Sequence, residues 1–271
     1  MSSSGSSGTS ESYTTLSSSS EKPPKYMEAI RDQDIDVEFL FDLSSSMSKY
    51  IDCRYLPNES IVIDENKLSG NGMTRMEACE EVAIDFIKEA LKVDKDGIEL
   101  GYFNKGYDPK KNRKTVTSVE SAMKFFSKME EKQGHGTQMS PALHHIITDF
   151  KYKYKKTGKR KVLIVFCDGL VSDFANVKHE IIELTKWNGM KTHFEFGIMF
   201  AVAGNIPVER DGSTEDFKKN KALYPKGFRM MKELDDELEK IGAKHDIVDA
   251  KPISWILRNS LGAVIYEAFF D

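Results

Sequence analysis

Along most of the chain, short continuous apolar runs alternate with segments whose apolar residues recur at helical spacing. This alternation predicts strands separated by helices. Short apolar runs predict strands at 36–42, 97–103, 162–167, 193–200 and 246–249. Continuous apolar runs of this length are typical of strands that a parallel sheet buries on both faces. Apolar residues at helical spacing predict helices behind Thr74 as far as Leu91 and at 119–129, 140–150, 174–187, 228–241 and 252–270.

Two helix starts carry specific capping signals. Thr74 and Glu77 have the spacing of a capping box, and Ser140 followed by Pro141 predicts a serine cap with proline at the first helical position. Strands that alternate with helices favour right-handed crossovers. The fold class is therefore predicted to be α/β, a doubly wound, mostly parallel sheet with helices on both faces.

The pattern also divides the chain. Residues 1–33 are rich in serine and nearly free of aliphatic side chains, so we expect a disordered leader that cannot bury a core. Residues 34–271 are expected to form a single domain. Within it, residues 49–72 are polar and predict a long loop, either near the ligand-binding edge of the sheet or as a surface insertion.

Composition narrows the class of protein. The 271 residues are 39% hydrophobic and 30% charged, with a net charge of −4, so no basic field favours a nucleic-acid partner. The basic run 151–161 is interpreted as the solvated end of a helix. No stretch has the roughly 20 apolar residues of a membrane span, and no signal peptide is evident. Three cysteines without metal-ligand spacing are expected to be reduced thiols, which predicts a cytoplasmic protein.

Oxygen-bearing side chains follow two of the predicted strands. Asp42, Ser44 and Ser46 come after the first strand, Asp168 comes after the apolar run 162–167, and Thr137 lies in a glycine-rich loop. Ligands of doubly wound sheets bind at the carboxyl ends of the strands, so we expect these residues to meet there. Hard oxygen donors suit Mg²⁺ or Mn²⁺ rather than zinc. Two carboxylates and three hydroxyls would balance the ion and leave room for one ligand from outside.

This arrangement resembles the metal-ion-dependent adhesion site of von Willebrand factor A (vWA) domains, whose fold is Rossmann-like. The family pattern is Asp-x-Ser-x-Ser after the first strand, a threonine in a glycine-rich loop, and a later strand-end aspartate. The resemblance covers roughly residues 34–270 and departs from the family at Ser45 and His135, where glycine is usual. It implies a Mg²⁺ or Mn²⁺ site of Asp42, Ser44, Ser46, Thr137 and Asp168 that captures a carboxylate of a protein partner. Some intracellular members of the family act with AAA-type ATPases, so such an assembly is one candidate partner.

Two other functions compete with a metal-dependent binding module that is not an enzyme. A Mg²⁺-dependent phosphatase would use Asp42 as its nucleophile, with Asp168 and Asp173 as further strand-end carboxylates. Haloacid-dehalogenase-like phosphatases, however, need an aspartate two residues after the nucleophile, and this chain has Ser44 there. A third interpretation is a fold with a vestigial site that acts through its surface.

Overall fold

A computed structural model describes residues 35–51, 73–92, 94, 96–132, 134 and 136–270. The predicted leader, most of the loop predicted at 49–72, and His135 lie outside the described residues. The strands are Ile35–Asp42 (β1), Tyr50–Ile51 (β2), Met73–Thr74 (β3), Ile98–Phe103 (β4), Arg113–Val116 (β5), Arg160–Cys167 (β6), Phe196–Val202 (β7) and Val248–Pro252 (β8). The helices are Arg75–Ala90 (α1), Pro109–Asn112 (α2), Val119–Glu130 (α3), Ser140–Thr157 (α4), Phe174–Thr185 (α5), Thr214–Asn220 (α6), Lys226–Glu237 (α7), Ile253–Ile256 (α8) and Leu261–Phe270 (α9).

The main sheet has the strand order β5-β4-β1-β6-β7-β8. All neighbours in it are parallel except β5, which pairs antiparallel with β4 at one edge. The chain passes from β1 to β4 on one side and then returns to β6 on the other side of β1. The carboxyl ends of β1 and β6 therefore lie at the point where the strand order reverses, which is where open α/β sheets bind ligands.

Helices cover both faces of this sheet, as the apolar pattern predicts. Alternate residues of each central strand point to opposite sides, so β6 contributes Val162, Ile164 and Phe166 to one core and Leu163 and Val165 to the other. The first core lies under α1, α3, α8 and α9, and the second lies under α4, α5, α6 and α7. The predicted doubly wound, mostly parallel α/β class is confirmed.

Several element boundaries differ from the predictions. The residues 193–195 form a 3-10 turn capped by Thr192, so β7 begins only at Phe196. The helix predicted at 252–270 is broken into α8 and α9, because the amide of Leu261 donates to the Glu89 carboxylate and starts a new helix. The edge strand β5 was not predicted, since its sequence Arg-Lys-Thr-Val is polar and half exposed.

A network of buried and partly buried charges ties β1, β4, β5 and β6 to α4. Glu38 is fully buried in β1 and accepts hydrogen bonds from Arg113 at 2.7 and 2.8 Å and from Lys161 at 2.6 Å. Lys153 donates to Glu99 at 3.0 Å, and Arg113 also pairs with Glu99. Burial of Glu99 works against its charge, but Lys161, Arg113 and Lys153 together lower its pKa to about 2. With Asp149 bound to Arg113, three cations meet three carboxylates.

We expect Lys161→Met to destabilise the fold by about 3 kcal/mol, because removing one partner leaves the buried Glu38 carboxylate undercompensated. Urea unfolding at pH 7 measures the change. Lys156→Met is the control: its side chain is exposed on α4 and contacts Tyr152, so we expect a change within about 0.5 kcal/mol. Equal unfolding midpoints for the two variants would contradict a stabilising role for the network.

Candidate metal centre

The loop after β1 presents a carboxylate and two hydroxyls at one place. The Ser44 amide donates to Oδ1 of Asp42 at 2.8 Å, which holds this carboxylate at the end of the strand. The hydroxyls of Ser44 and Ser46 lie 2.8 Å apart, because a 3-10 turn at Ser45–Ser48 brings them to the same side of the loop. Ser45 between them is exposed, whereas Ser44 is buried. The motif Asp-x-Ser-x-Ser therefore forms a compact group of oxygens.

The second oxygen of Asp42 is the least satisfied group in this loop. Asp42 is fully buried, and its Oδ2 makes no hydrogen bond among the described residues. Burial raises the pKa of Asp42 to about 7, and the nearby Asp168 charge adds to this effect. Hydrogen bonds from Ser44 and the charge of Arg75 act in the opposite direction. A buried carboxylate oxygen with no donor is costly unless a cation or proton meets it.

Thr137 is held between the loops that follow β1 and β6. Gly134 forms a parallel bridge with Ser44, with the Ser45 amide donating to the Gly134 carbonyl at 3.1 Å. Three residues later, the Thr137 hydroxyl accepts from the Ser172 amide at 3.1 Å, and the Ser172 hydroxyl donates to the Thr137 carbonyl. Gly134 and Thr137 thus contact the loops that follow β1 and β6.

Asp168 directly follows β6, at a turn with an unusually close approach of two backbone segments. Its side chain is 1% exposed, and its Oδ1 accepts from the Leu170 amide at 3.0 Å. Gly169 follows with a φ of +77°, and a methyl group on Gly227 at the start of α7 would overlap the Asp168 carbonyl oxygen. Only glycine permits both this turn and this approach. Gly227 was not predicted to be part of the site, because a glycine in the first turn of a helix carries no local signal of a tertiary contact.

Arg75 is a site residue that the sequence analysis did not include. Its Nη1 donates to Oδ2 of Asp168 at 2.8 Å and lies 3.4 Å from the Ser46 carbonyl oxygen. It is the first residue of α1, directly after the Thr74 cap, and the capping box of Thr74 and Glu77 is confirmed. The capping signal identified the helix start and gave no sign of a contact with Asp168, which is 93 positions further along the chain.

Asp173 has a structural role at the start of α4. Its carboxylate accepts from the amides of Met139 and Ser140 at 3.0 and 2.9 Å and from the Ser140 hydroxyl at 2.6 Å. The prediction that Ser140 caps this helix is therefore wrong: Met139 is the cap residue, and Asp173, which directly precedes the neighbouring helix α5, accepts from the first amides. A carboxylate held by three donors has a structural task already, which counts against Asp173 as a phosphatase residue.

The residues at this edge fit a hard divalent cation. The unpaired Oδ2 of Asp42 and the paired hydroxyls of Ser44 and Ser46 are oxygen donors of the kind that Mg²⁺ prefers. In the described part of the chain, no three His, Cys, Asp or Glu side chains cluster as a metal-binding group. Any site at this edge therefore depends on serine and threonine hydroxyls. Cys79 and Cys167 are free thiols, both buried, and burial raises their pKa.

Comparisons with known proteins leave the family open. No protein-family model and no curated protein matches the chain. Partial structural likenesses exist to a PilB minor pilin from Streptococcus sanguinis (12% identity, 88% of this chain, 62% of that chain, TM-score 0.49) and to a manganese-loaded Plasmodium vivax TRAP protein (11%, 72%, 65%, 0.40). A third is to proximal thread matrix protein 1 from the mussel byssus (17%, 64%, 39%, 0.37).

The chain thus spans between 39% and 65% of the length of these three structures. Likenesses this distant do not assign a family, and the α/β fold rests on the sheet order itself. The described residues contain no helix long and apolar enough to cross a membrane.

We expect Asp42→Asn to stabilise chelator-treated protein increasingly as the pH rises from 4.5 to 8. The raised pKa means that the folded state holds the Asp42 proton more tightly than the unfolded state does. Ionisation between about pH 4 and pH 7 therefore costs stability. Asparagine keeps the Oδ1 acceptor for Ser44 and does not ionise. At pH 8 the variant should gain on the order of 1–3 kcal/mol over its difference from wild type at pH 4.5.

Thermal or urea unfolding at the two pH values measures this trend. Asp108→Asn is the control, because hydrogen bonds from Lys111 and from the Lys110 amide lower the pKa of Asp108 from its ordinary value. Its carboxyl therefore titrates below pH 4.5 in both the folded and the unfolded state, and the stability of the variant relative to wild type should be the same at pH 4.5 and pH 8. Parallel pH profiles for wild type and Asp42→Asn would show that the burial of Asp42 does not disfavour its charge.

Proposed function

We propose that this chain is a metal-dependent protein-binding module of the vWA type, with a Mg²⁺ or Mn²⁺ site at the carboxyl ends of β1 and β6. The observation that carries the proposal is the buried, unpaired Oδ2 of Asp42 beside the hydroxyl pair of Ser44 and Ser46. The proposed ligand set is Asp42, Ser44, Ser46, Thr137 and Asp168. Most buried polar atoms have a hydrogen-bond partner, so a buried carboxylate oxygen without one, beside two hydroxyls, favours a site for a cation.

The proposed ligands have distinct roles. Asp42 and Asp168 supply negative charge, and the turn after β1 sets the spacing of the serine hydroxyls. The two hydrogen bonds between Ser172 and Thr137 orient Thr137. When bound, the metal ion would supply a positive charge that coordinates a carboxylate of the partner.

The surroundings of the site suit a protein partner. Tyr50 and Leu170 are large hydrophobic residues that are 55% and 43% exposed. Tyr50 pairs with Thr74, next to Arg75, and the Leu170 amide donates to Asp168. The backbones of both residues are therefore close to Arg75 or Asp168. Exposed aromatic and aliphatic groups around a polar centre are typical of a protein-binding surface. We place this function in the cytoplasm, with an AAA-type ATPase assembly among the candidate partners.

We expect Ser44→Ala to weaken Mn²⁺ and Mg²⁺ binding about tenfold or more, because it removes a proposed ligand oxygen without changing the backbone. Calorimetric titration of chelator-treated protein with each ion measures the affinity. Ser45→Ala is the matched control, since this exposed serine lies in the same turn and belongs to no proposed ligand set. Equal affinities for the two variants would contradict the ligand assignment.

The partner-binding part of the proposal has its own test. Affinity capture with wild type and with Asp42→Ala, each in Mg²⁺ and in excess chelator, separates metal-dependent partners from the rest. Partner binding that survives both the substitution and the chelator would contradict metal-mediated capture. The absence of any metal-binding heat in wild type would favour the third interpretation, a vestigial site. Phosphatase turnover that is lost in Asp42→Asn would favour the enzyme.

A further inference from the structure

Arg75 shares an oxygen with the proposed metal site without belonging to its ligand set. Its guanidinium contacts Oδ2 of Asp168 at 2.8 Å, and this carboxylate is almost fully buried. The same Nη1 lies 3.4 Å from the Ser46 carbonyl oxygen, so the charge of Arg75 lies between the loops that follow β1 and β6. Any divalent ion that uses Asp168 must therefore share this carboxylate with a cation that belongs to the chain.

The backbone around Arg75 fixes where this charge can reach. The Arg75 amide donates to the Lys49 carbonyl at 2.9 Å, and the strand pair β2-β3 joins Tyr50 to Thr74 directly before it. Arg75 is also the first residue of the 16-residue helix α1. A cation in the first turn of a helix is electrostatically unfavourable, so helix formation does not account for an arginine here. The contact with Asp168 compensates for that cost.

The guanidinium group of Arg75 is only partly held by hydrogen bonds. Its Nε is buried and makes no hydrogen bond among the described residues, so the guanidinium meets Asp168 through one nitrogen rather than in the two-point geometry that makes such pairs strong. Its side chain is 20% exposed. The guanidinium can therefore leave Oδ2 toward solvent while the backbone keeps it near the site.

We propose that Arg75 is a tethered cation that competes with the divalent ion for Asp168 and then strengthens the attraction of the loaded site for a partner's carboxylate. This inference rests on the proposed function. With both carboxylates ionised, Asp42, Asp168 and Arg75 sum to −1, and a divalent ion changes the sum to +1. One carboxylate of a partner then neutralises the site. Without Arg75, the loaded site is already neutral and attracts an anion less.

The proposal assigns one substitution two effects of opposite sign. Arg75→Gln removes the competing charge, so Mn²⁺ should bind about tenfold tighter or more by calorimetric titration of chelator-treated protein. The Mn²⁺-loaded variant should bind a capped Gly-Gly-Asp-Gly-Gly peptide several-fold more weakly than loaded wild type. The relaxation of water protons by bound Mn²⁺ measures the second effect, because the peptide carboxylate displaces water from the ion. General damage to the fold would weaken both.

Arg210→Gln is the matched control. Arg210 also donates from Nη1 to an aspartate, Asp216, at 2.8 Å, its side chain is 23% exposed, and its Nε also has no partner among the described residues. Its partner Asp216, unlike Asp168, lies outside the proposed ligand set, so Mn²⁺ affinity should stay at the wild-type value. Arg75→Lys keeps the charge and should stay within a few-fold of wild type in both measurements, and a tenfold gain in Mn²⁺ affinity in this variant would contradict an effect of charge. Arg75→Met is a second variant that removes the charge, and it should show the same two effects as Arg75→Gln.

The outcomes separate this inference from the proposed function. Mn²⁺ binding by wild type with equal or weaker binding by Arg75→Gln would overturn the competition and leave the metal site in place. Unchanged peptide affinity in the loaded variant would overturn the second effect. No Mn²⁺ binding by wild type or by Arg75→Gln would overturn both the site and the inference. Binding by Arg75→Gln alone would support the competition in its strongest form.

Discussion

The order of the parallel strands is the constraint on which the rest of the structure depends. β1 lies between β4 and β6, and the chain must leave β1 toward one side and return on the other. No helix can cross over the carboxyl ends of β1 and β6 at that point, so their loops diverge. Asp42 ends β1, and Asp168 directly follows β6. Their proximity follows from the topology. The loops that carry Ser44 and Thr137 add hydroxyl groups at the same edge of the sheet.

Charge is buried in this domain in two contrasting ways. Around Glu38, three cations and three carboxylates satisfy one another on the face under α4, so the group is closed and needs nothing from outside. At the carboxyl edge, two carboxylates face the single guanidinium of Arg75, and one oxygen of Asp42 has no donor. The same sheet thus holds a balanced group that stabilises the fold and an unbalanced group suited to a ligand.

The sequence was sufficient for the fold class because apolar runs such as 162–167 report burial on both faces of a strand. It also predicted that Asp42 and Asp168 lie near each other, since the carboxyl ends of the strands of a doubly wound sheet share an edge. It was insufficient where long-range contacts decide the outcome. Arg75 looked like an ordinary residue after a cap, and its role depends on a carboxylate far along the chain. The start of α4 was misassigned because Asp173 reaches across to satisfy its amides. The polar edge strand β5 has no apolar pattern of its own, and it is a strand because it pairs with β4.

The contact between Gly169 and Gly227 limits how this site could be transferred to another protein. Two backbones touch there without side chains between them, and the turn that carries Asp168 rests on the first turn of α7. Copying the five proposed ligands onto another α/β sheet would therefore not reproduce the position of Asp168. A designer would also have to bring a helix to the same distance, with glycine on both sides of the contact. For the same reason, these two glycines should accept substitution only together with a shift of α7. The position of Asp168 thus depends on this backbone contact as well as on the residues of the ligand motif.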